Sequence, residues 1–402
     1  MKKLLAVCLL TCASLAAQIP PPAQLPNNPV SIRKTWTIGG IGNWDYLTMD
    51  PKANQLFIAH GTVVQVVDVT TGAITGQVTG LREAHSIALD DNGEFGYISD
   101  GPADQVKVFD RRTFQVVASI PTGPTPRSLA LEPQSGLLFV MCAEPAAANT
   151  PTPSTPNRPN ARRNPPTPPH PPSPNTELRT SMTVIDMESR KPIATLLMPG
   201  RLGFAQPGGS GEVFINLVDR NSIARLDAVA VGSLLHGEAS AAVSLDWSHG
   251  VHSEMRIFGL GGACPEPTSL AVDSRHQRLF AACSNMKLAV VNALTGEVVT
   301  TLPTGPGTDA VGYDADRSLI YTANGGANGS LTIIRQDVTD TYAVIQNLPT
   351  RQRARTLAVN PATGEVYLVT DMLGVNLAES GGIGTLRTAP VNGSFQVLVV
   401  EN

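Results

Sequence analysis

One spacing recurs along this chain of 402 residues and constrains its fold more than any other feature. A short apolar segment ends in a turn-forming residue, and an aromatic residue follows seven positions later. The turn residues are Asp50, Asp90, Glu132, Pro207, Asp273, Asp314 and Asn360, and their partners are Phe57, Tyr97, Phe139, Phe214, Phe280, Tyr321 and Tyr367. Because the residues between them favour tight reversals, each unit is predicted to be a β-hairpin.

Two more strands are predicted after each hairpin. The third, as in residues 288–292, ends in an Asp or Asn that can form an Asx turn, and a fourth such as 297–302 follows. A unit of about 40 residues with four short strands cannot bury both faces alone, so neighbouring units must pack on it. We therefore predict an all-β fold, a seven-bladed β-propeller of four-stranded antiparallel blades.

The last blade is predicted to use both ends of the chain. Residues 356–360, 365–370 and 394–401 supply three strands, and residues 30–38 supply the missing outer strand. An N-terminal strand that joins the C-terminal blade would close the ring and leave no long open edge.

The domain organisation that follows is simple. Residues 1–17 are typical of an export signal, with Lys2 and Lys3 before an apolar run and small residues near Ala17. Residues 18–29 form a Pro-rich linker, and residues 30–402 form one propeller domain. The Pro-rich stretch at 143–179 is predicted to be a disordered insertion in blade three. Residues 228–263 interrupt blade four, and their strand register stays open between 241–247 and 254–258.

Composition excludes some classes of partner. The net charge of −4 gives no basic patch for nucleic acid. Beyond the first residues no stretch is apolar for long enough to span a membrane, so we expect a secreted or periplasmic protein, and a monomer. Anchoring as a lipoprotein through Cys12 is the alternative.

Three cysteines remain after the signal segment, in a compartment that permits disulfides. Cys264 enters blade five and Cys283 leaves its second strand on the same face, which predicts a disulfide between them. Cys142 has the equivalent place in blade three and is expected to be a buried free thiol.

The later repeats resemble a known family. Their segments Leu-Phe-Ala-Ala-Cys-Ser-Asn (279–285), Leu-Ile-Tyr-Thr-Ala-Asn-Gly (319–325) and Leu-Pro-Thr-Gly (302–305) resemble those of the secreted bacterial YVTN-repeat, or YncE-like, β-propellers. The resemblance covers essentially the whole mature chain apart from the two irregular regions. It implies an extracytoplasmic propeller and carries over no catalytic set.

Ligands of propellers usually lie over the central channel, at the loops that enter the inner strands and leave the second strands. Alignment of the repeats puts one position five residues before each turn residue at this mouth, and another three residues after each aromatic. The polar residues that result are the candidate ligand-binding set: Asp45, His60, His85, Asp100, Arg127, Asp309, Asn324 and Arg355. Blades four and five offer only Leu202, Leu217, Thr268 and Cys283 there, so the mouth should be lopsided.

Two functions remain open for this mouth. The sequence contains no haem-attachment motif, nucleophile elbow, P-loop or local metal-ligand spacing, so no catalytic residues, cofactor or metal are assigned. We expect a non-catalytic binding or scaffold propeller for a small molecule or an extracellular protein. The alternative is a lactonase-like hydrolase in which Arg127 and Arg355 bind the anion and His60 or His85 acts as the base.

Overall fold

We describe the chain from a computed structural model, for residues 30–143, 179–237, 243–246, 254–338, 340–375 and 388–401. Seven sheets, each built on four antiparallel strands, follow one another along the described chain. The innermost strand of each sheet contacts that of the next, and the last contacts the first. The predicted seven-bladed β-propeller is therefore confirmed. The expected signal segment, the linker and nearly all of the insertion lie outside the described residues.

The first three blades follow the predicted repeat. After β1 (Ser31–Thr37), blade one contains β2 (Trp44–Asp50), β3 (Gln55–His60), β4 (Val63–Asp68) and β5 (Ile74–Val78). Blade two contains β6 (Ala84–Leu89), β7 (Phe95–Asp100), β8 (Gln105–Asp110) and β9 (Val116–Pro121). Blade three contains β10 (Pro126–Glu132), β11 (Leu137–Cys142), β12 (Arg179–Asp186) and β13 (Lys191–Pro199).

Blade four is where the repeat is interrupted. It begins with β14 (Leu202–Pro207), β15 (Glu212–Leu217) and β16 (Ser222–Asp227), which are followed by α1 (Ala228–Gly237), β17 (Val243–Asp246) and β18 (Met255–Gly259). β18 pairs with β16 and is the fourth strand of this blade. β17 pairs in parallel with β13, so it widens blade three instead.

The remaining blades return to the repeat. Blade five contains β19 (Ser269–Asp273), β20 (Arg278–Cys283), β21 (Lys287–Asn292) and β22 (Val298–Pro303). Blade six contains β23 (Thr308–Asp314), β24 (Leu319–Asn324), β25 (Ser330–Gln336) and β26 (Tyr342–Pro349). Blade seven contains β27 (Leu357–Val359) and β28 (Val366–Thr370), a side hairpin of β29 (Leu373–Val375) and β30 (Thr388–Pro390), and β31 (Gln396–Glu401).

The outer edge of blade seven carries the N-terminal strand. β1 pairs antiparallel with β31, from Ser31 opposite Glu401 to Thr37 opposite Gln396, in the sheet order β1-β31-β28-β27. The ring of Trp36 stacks on Tyr367, with centroids 6.0 Å apart. That this pairing is what holds the ring closed stays a prediction, and its test is given in the Discussion.

The turn residues that define the repeat stabilise the hairpins directly. The carboxylate of Asp50 accepts the backbone N–H groups of Lys52 (3.1 Å) and Ala53 (3.2 Å), and Asp314 and Asn360 form the same kind of turn. Such Asx turns satisfy N–H groups that the hairpin leaves unpaired. Their aromatic partners are buried between blades, as Phe57 is against Phe109 of blade two.

Two of the cysteines are bonded and one is free. The sulfur atoms of Cys264 and Cys283 form a disulfide that joins the loop before β19 to the end of β20, with Cα atoms 5.0 Å apart. Cys142 is a buried free thiol, and its burial raises the pKa of that thiol. Among the described residues, no helix is long and apolar enough to cross a membrane.

Candidate functional site

The aligned mouth positions lie at one end of their blades because of the strand register. In five of the seven blades the first residue of the inner strand pairs with the last residue of the second strand, as in Trp44 with His60, Ala84 with Asp100, and Thr308 with Asn324. The candidate residues therefore share one face of the propeller. Their surroundings on that face differ.

A first pair of side chains joins blades one and two. Nδ1–H of His85 donates to Oδ2 of Asp45 (2.9 Å), and the His85 side chain is almost completely buried. The far side of the imidazole packs against the backbone of Gly101, where an added Cβ would lie 2.6 Å from Nε2. The ring is thus held by the carboxylate on one side and the chain on the other.

A second pair of charges links blades six and seven at the same mouth. The guanidinium of Arg355 lies 3.0 Å from Oδ2 of Asp309 and donates to the carbonyl oxygen of Trp44 (3.2 Å). Burial raises the pKa of the Asp309 carboxyl, Arg355 opposes this, and the negative charge of Asp45 adds to it. The two carboxylates are therefore close enough to interact, with an arginine beside them.

Tyr46 lies among these charged side chains. Burial raises the pKa of its hydroxyl, the charges of Asp45 and Asp309 add to the increase, and those of Arg127 and Arg355 oppose it. Charged side chains of four blades therefore converge on one tyrosine. The ring of Tyr46 contacts that of Phe204 from blade four, with centroids 5.0 Å apart.

Arg127 differs from the other charged groups because it is exposed. Within the part of the chain that the structure describes, no hydrogen bond or ion pair involves its guanidinium. Its five N–H donors are available to a ligand at the mouth.

A channel cavity of about 310 Å³ continues from the mouth toward the opposite face. The innermost segments of all seven blades line it, with residues such as Tyr46, Ile87, Leu129, Phe204, Ser269, Val311 and Leu357. Most of the side chains that line it are apolar and none is charged, in contrast to the mouth. Apolar walls with a few convergent polar groups are typical of small-molecule sites.

The side chains of Asp100 and Asn324 form hydrogen bonds within the protein that stabilise the fold. Oδ1 of Asp100 accepts the backbone N–H groups of Arg82 and Glu83, both at 2.9 Å. Asn324 bonds to Thr308, Ser330 and Thr332 and is fully buried. Both side chains fix loops at the mouth, and neither faces the charged group around Tyr46.

His60 occupies a separate pocket between blades seven and one. Its Nδ1 lies 2.9 Å from Oε1 of Gln65, its ring lies on that of Phe395 with centroids 3.9 Å apart, and burial lowers its pKa. His60 and His85 therefore line different parts of the face. In the described residues, no group of three or more His, Cys, Asp or Glu side chains is arranged to hold a metal ion.

Sequence alignment missed Tyr46 and Phe204, which form the aromatic part of the mouth. Each lies one or two residues beyond an aligned position, on an inner strand. Aromatic residues at inner-strand positions next to charged ones are a signal that could have identified them.

Comparison with known proteins gives the fold. No protein-family profile and no curated protein sequence matches the chain. The WD40 repeats of RRP9 superimpose with a TM-score of 0.65 at 8% identity, over 93% of this chain and 100% of theirs. A chain of the mitotic checkpoint complex gives 0.63 at 11% identity, over 98% and 99% of the two chains. Hydrazine synthase from Kuenenia stuttgartiensis gives 0.58 at 15%, over 82% and 94%. These similarities show the β-propeller fold alone.

Proposed function

We propose that this protein is a non-catalytic, extracytoplasmic binding propeller whose ligand lies at the charged channel mouth. The observation that carries the proposal is the convergence of Asp45, Arg127, Asp309 and Arg355, from four blades, on the half-buried Tyr46. Asp45, Arg127 and Asp309 lie on inner strands and Arg355 lies just before β27, so the fold places all four groups at the mouth and little ordering is needed on binding.

The expected ligand is a small molecule with an anionic group. Arg127 presents a planar guanidinium, which suits two-point binding of a carboxylate or phosphate. Arg355 is shared between Asp309 and the carbonyl oxygen of Trp44, so it contributes positive charge beside this position. The rings of Tyr46 and Phe204 would contact the apolar part of the ligand at the channel entrance.

The hydrolase alternative has less support. A general base must reach the water that it activates. Nε2 of His85 packs against Gly101, and His60 lies in a different pocket, against Phe395. Neither imidazole is therefore arranged beside Arg127 and Arg355 as a lactonase mechanism requires.

Two features support an extracytoplasmic location. The apolar leader has the composition of an export signal, and disulfides persist mainly in oxidising compartments. The bond between Cys264 and Cys283 fits such a compartment. Processing after residue 17, and not lipidation at Cys12, is part of the proposal. Mass spectrometry of the exported protein would distinguish the two.

Calorimetric titration tests the binding proposal with three probes: inorganic phosphate, succinate and the neutral succinamide. We expect at least one anion to bind and succinamide not to bind. Arg127→Ala should weaken the anion at least about tenfold, because a charge-assisted hydrogen bond is lost. Arg127→Lys should recover only part of the affinity, since a lysine cannot bind at two points.

Arg201→Ala is the matched control, because Arg201 is an exposed arginine in the loop that enters blade four. The Arg201→Ala variant should bind the anions with the same affinity as the unaltered protein. Failure of both anions to bind, or equal binding by the Arg127→Ala and Arg201→Ala variants, would refute the proposed site. Lactone hydrolysis that disappears in His85→Ala would establish the hydrolase alternative in its place.

A further inference from the structure

A second cavity lies beside blade seven, on the same face as the channel mouth. It has a volume of about 210 Å³ and is bounded by the loop after β1 and the segment after β30. Its walls are Gly40, Ile41, Gly42, His60, Asp371, Pro390, Val391, Asn392 and Phe395. No residue of the channel lining belongs to this side pocket.

Asp371 places a buried carboxylate in the lining of the side pocket. Its side chain is 5% exposed, and Oδ2 pairs with Nη1 of Arg353 at 3.1 Å. Oδ1 is buried and has no hydrogen-bond partner among the described residues. A buried acceptor without a partner is destabilising, and a ligand that donates to it would relieve that penalty.

The titratable groups of the side pocket have partners within the protein, and exposed Asn392 adds only a neutral amide to its lining. His60 bonds to Gln65 and to the backbone of Gly42, and burial lowers its pKa, so the imidazole is neutral at pH 7. The charge of Asp371 is balanced by Arg353. Because the pocket has no net charge, it favours a neutral ligand over an ion, which would lose its hydration without compensation.

Exposed apolar side chains form part of the entrance of the side pocket, where Ile41 and Val391 belong to its lining and Met372 lies beside Val391. Ile41 is 77% exposed, Met372 48% and Val391 41%. The backbone N–H of Val391 donates to the carbonyl oxygen of Met372 (2.7 Å), so these two residues lie side by side. The ring of Phe395 adds a further apolar surface to the lining.

We propose that the side pocket is a ligand site for a small, neutral, largely apolar molecule that carries one hydroxyl or N–H donor. The donor bonds to Oδ1 of Asp371, and the apolar part lies against Phe395 and Val391. A ring of six carbons fits this size, because a cavity of about 150 Å³ already holds benzene in another protein. The site is distinct from the channel mouth, where anionic ligands are expected.

The test compares phenol with toluene, which has the same shape and lacks the donor. Affinities are measured by calorimetry and by ligand-detected NMR. Phenol should bind at least about tenfold more tightly than toluene, because only phenol satisfies the carboxylate. In Asp371→Asn the Oδ of the amide is expected to stay with Arg353, which leaves an NH₂ group in the pocket. The preference for phenol should then become smaller, because a neutral NH₂ that donates to the phenol oxygen makes a weaker hydrogen bond than a carboxylate that accepts the O–H.

Ile41→Asp provides a second variant at an exposed position that should not affect folding. It should weaken both probes several-fold by placing a charge at the apolar entrance. Asp219→Asn is the matched control, because Asp219 is an acceptor for a backbone N–H elsewhere on this face. Arg127→Ala should also leave phenol binding unchanged, which separates this site from the channel mouth.

Three results would overturn the inference. One is the absence of phenol binding to the unaltered protein. Another is equal affinity for phenol and toluene, and a third is phenol binding that is as tight in Asp371→Asn and Ile41→Asp as in the unaltered protein. Loss of phenol binding in Arg127→Ala alone would assign the probe to the channel mouth and would equally reject the side pocket.

Discussion

Individual residues at equivalent repeat positions have different roles in this propeller. Asp45 orients His85, whereas Asp309 pairs with Arg355. Asp100, at the end of its second strand, binds backbone N–H groups of the preceding loop. Repeat alignment could predict which end of the blade each side chain occupies. It could not predict its partner, because the partners come from neighbouring blades and from loops of unequal length.

The disulfide is predicted to stabilise the folded protein. Cys264→Ala combined with Cys283→Ala should lower the free energy of unfolding by about 3 kcal/mol, since the bond closes a loop between residues 19 apart in sequence. Urea denaturation with and without a reductant measures the change. The reductant should destabilise the unaltered protein and leave the double variant unaffected.

The free thiol serves as the control for this experiment. Thiol titration of the unfolded, unreduced protein after removal of residues 1–17 should detect Cys142 and neither Cys264 nor Cys283. Three reactive thiols in that titration would contradict the bond.

His60 allows a prediction about pH. Burial lowers its pKa below the usual value near 6.5, so between these two values the unfolded chain binds a proton that the folded protein does not. Acidification from pH 7 to pH 5 should therefore reduce stability through His60. His60→Asn removes this contribution, and the stability difference between the two proteins should narrow as the pH falls.

Urea denaturation at several pH values provides the comparison. Asp371 acts with the opposite sign, because burial raises the pKa of its carboxyl, and it is present in both proteins of the comparison. A stability difference that stays constant or widens between pH 7 and pH 5 would show that His60 is not held neutral by burial.

Secondary-structure elements were predictable wherever the local pattern was complete. The spacing of Asp273 and Phe280 predicts the hairpin of blade five, and these residues lie on β19 and β20. Blade four was not predictable because its third and fourth strands are separated by α1 and β17. β17 also pairs with a strand of another blade, and such long-range pairing leaves no periodic signal nearby.

The N-terminal strand β1 is predicted to stabilise the propeller. Deletion of residues 1–37 removes β1 and its pairing with β31, and with it the buried Val30 and the stacking of Trp36 on Tyr367. We expect a loss of about 3 kcal/mol or more, since apolar burial, an aromatic contact and strand pairing are lost together. Urea denaturation and limited proteolysis measure the effect.

Deletion of residues 1–29 is the matched control, because it ends just before β1. This shorter deletion should leave stability unchanged. Equal stability of the two truncated proteins would mean that the ring does not depend on β1 for its closure.

The whole molecule creates features that no blade has alone. The channel is lined by the innermost segments of all seven blades, and the charged groups around Tyr46 come from blades that are far apart in sequence. Repeat counting predicted the ring and the face on which its charges gather. It could not predict the side pocket, because the segment from Asp371 to Phe395 has no counterpart in the other blades.

A crystal soaked with the tighter-binding anion tests directly whether the ligand binds at the channel mouth. We expect electron density for the anion within hydrogen-bond distance of the Arg127 guanidinium and beside Tyr46. The same density should be missing from crystals of Arg127→Ala. Density for the anion that appears only outside the mouth, or that persists in that variant, would show that the ligand does not bind there.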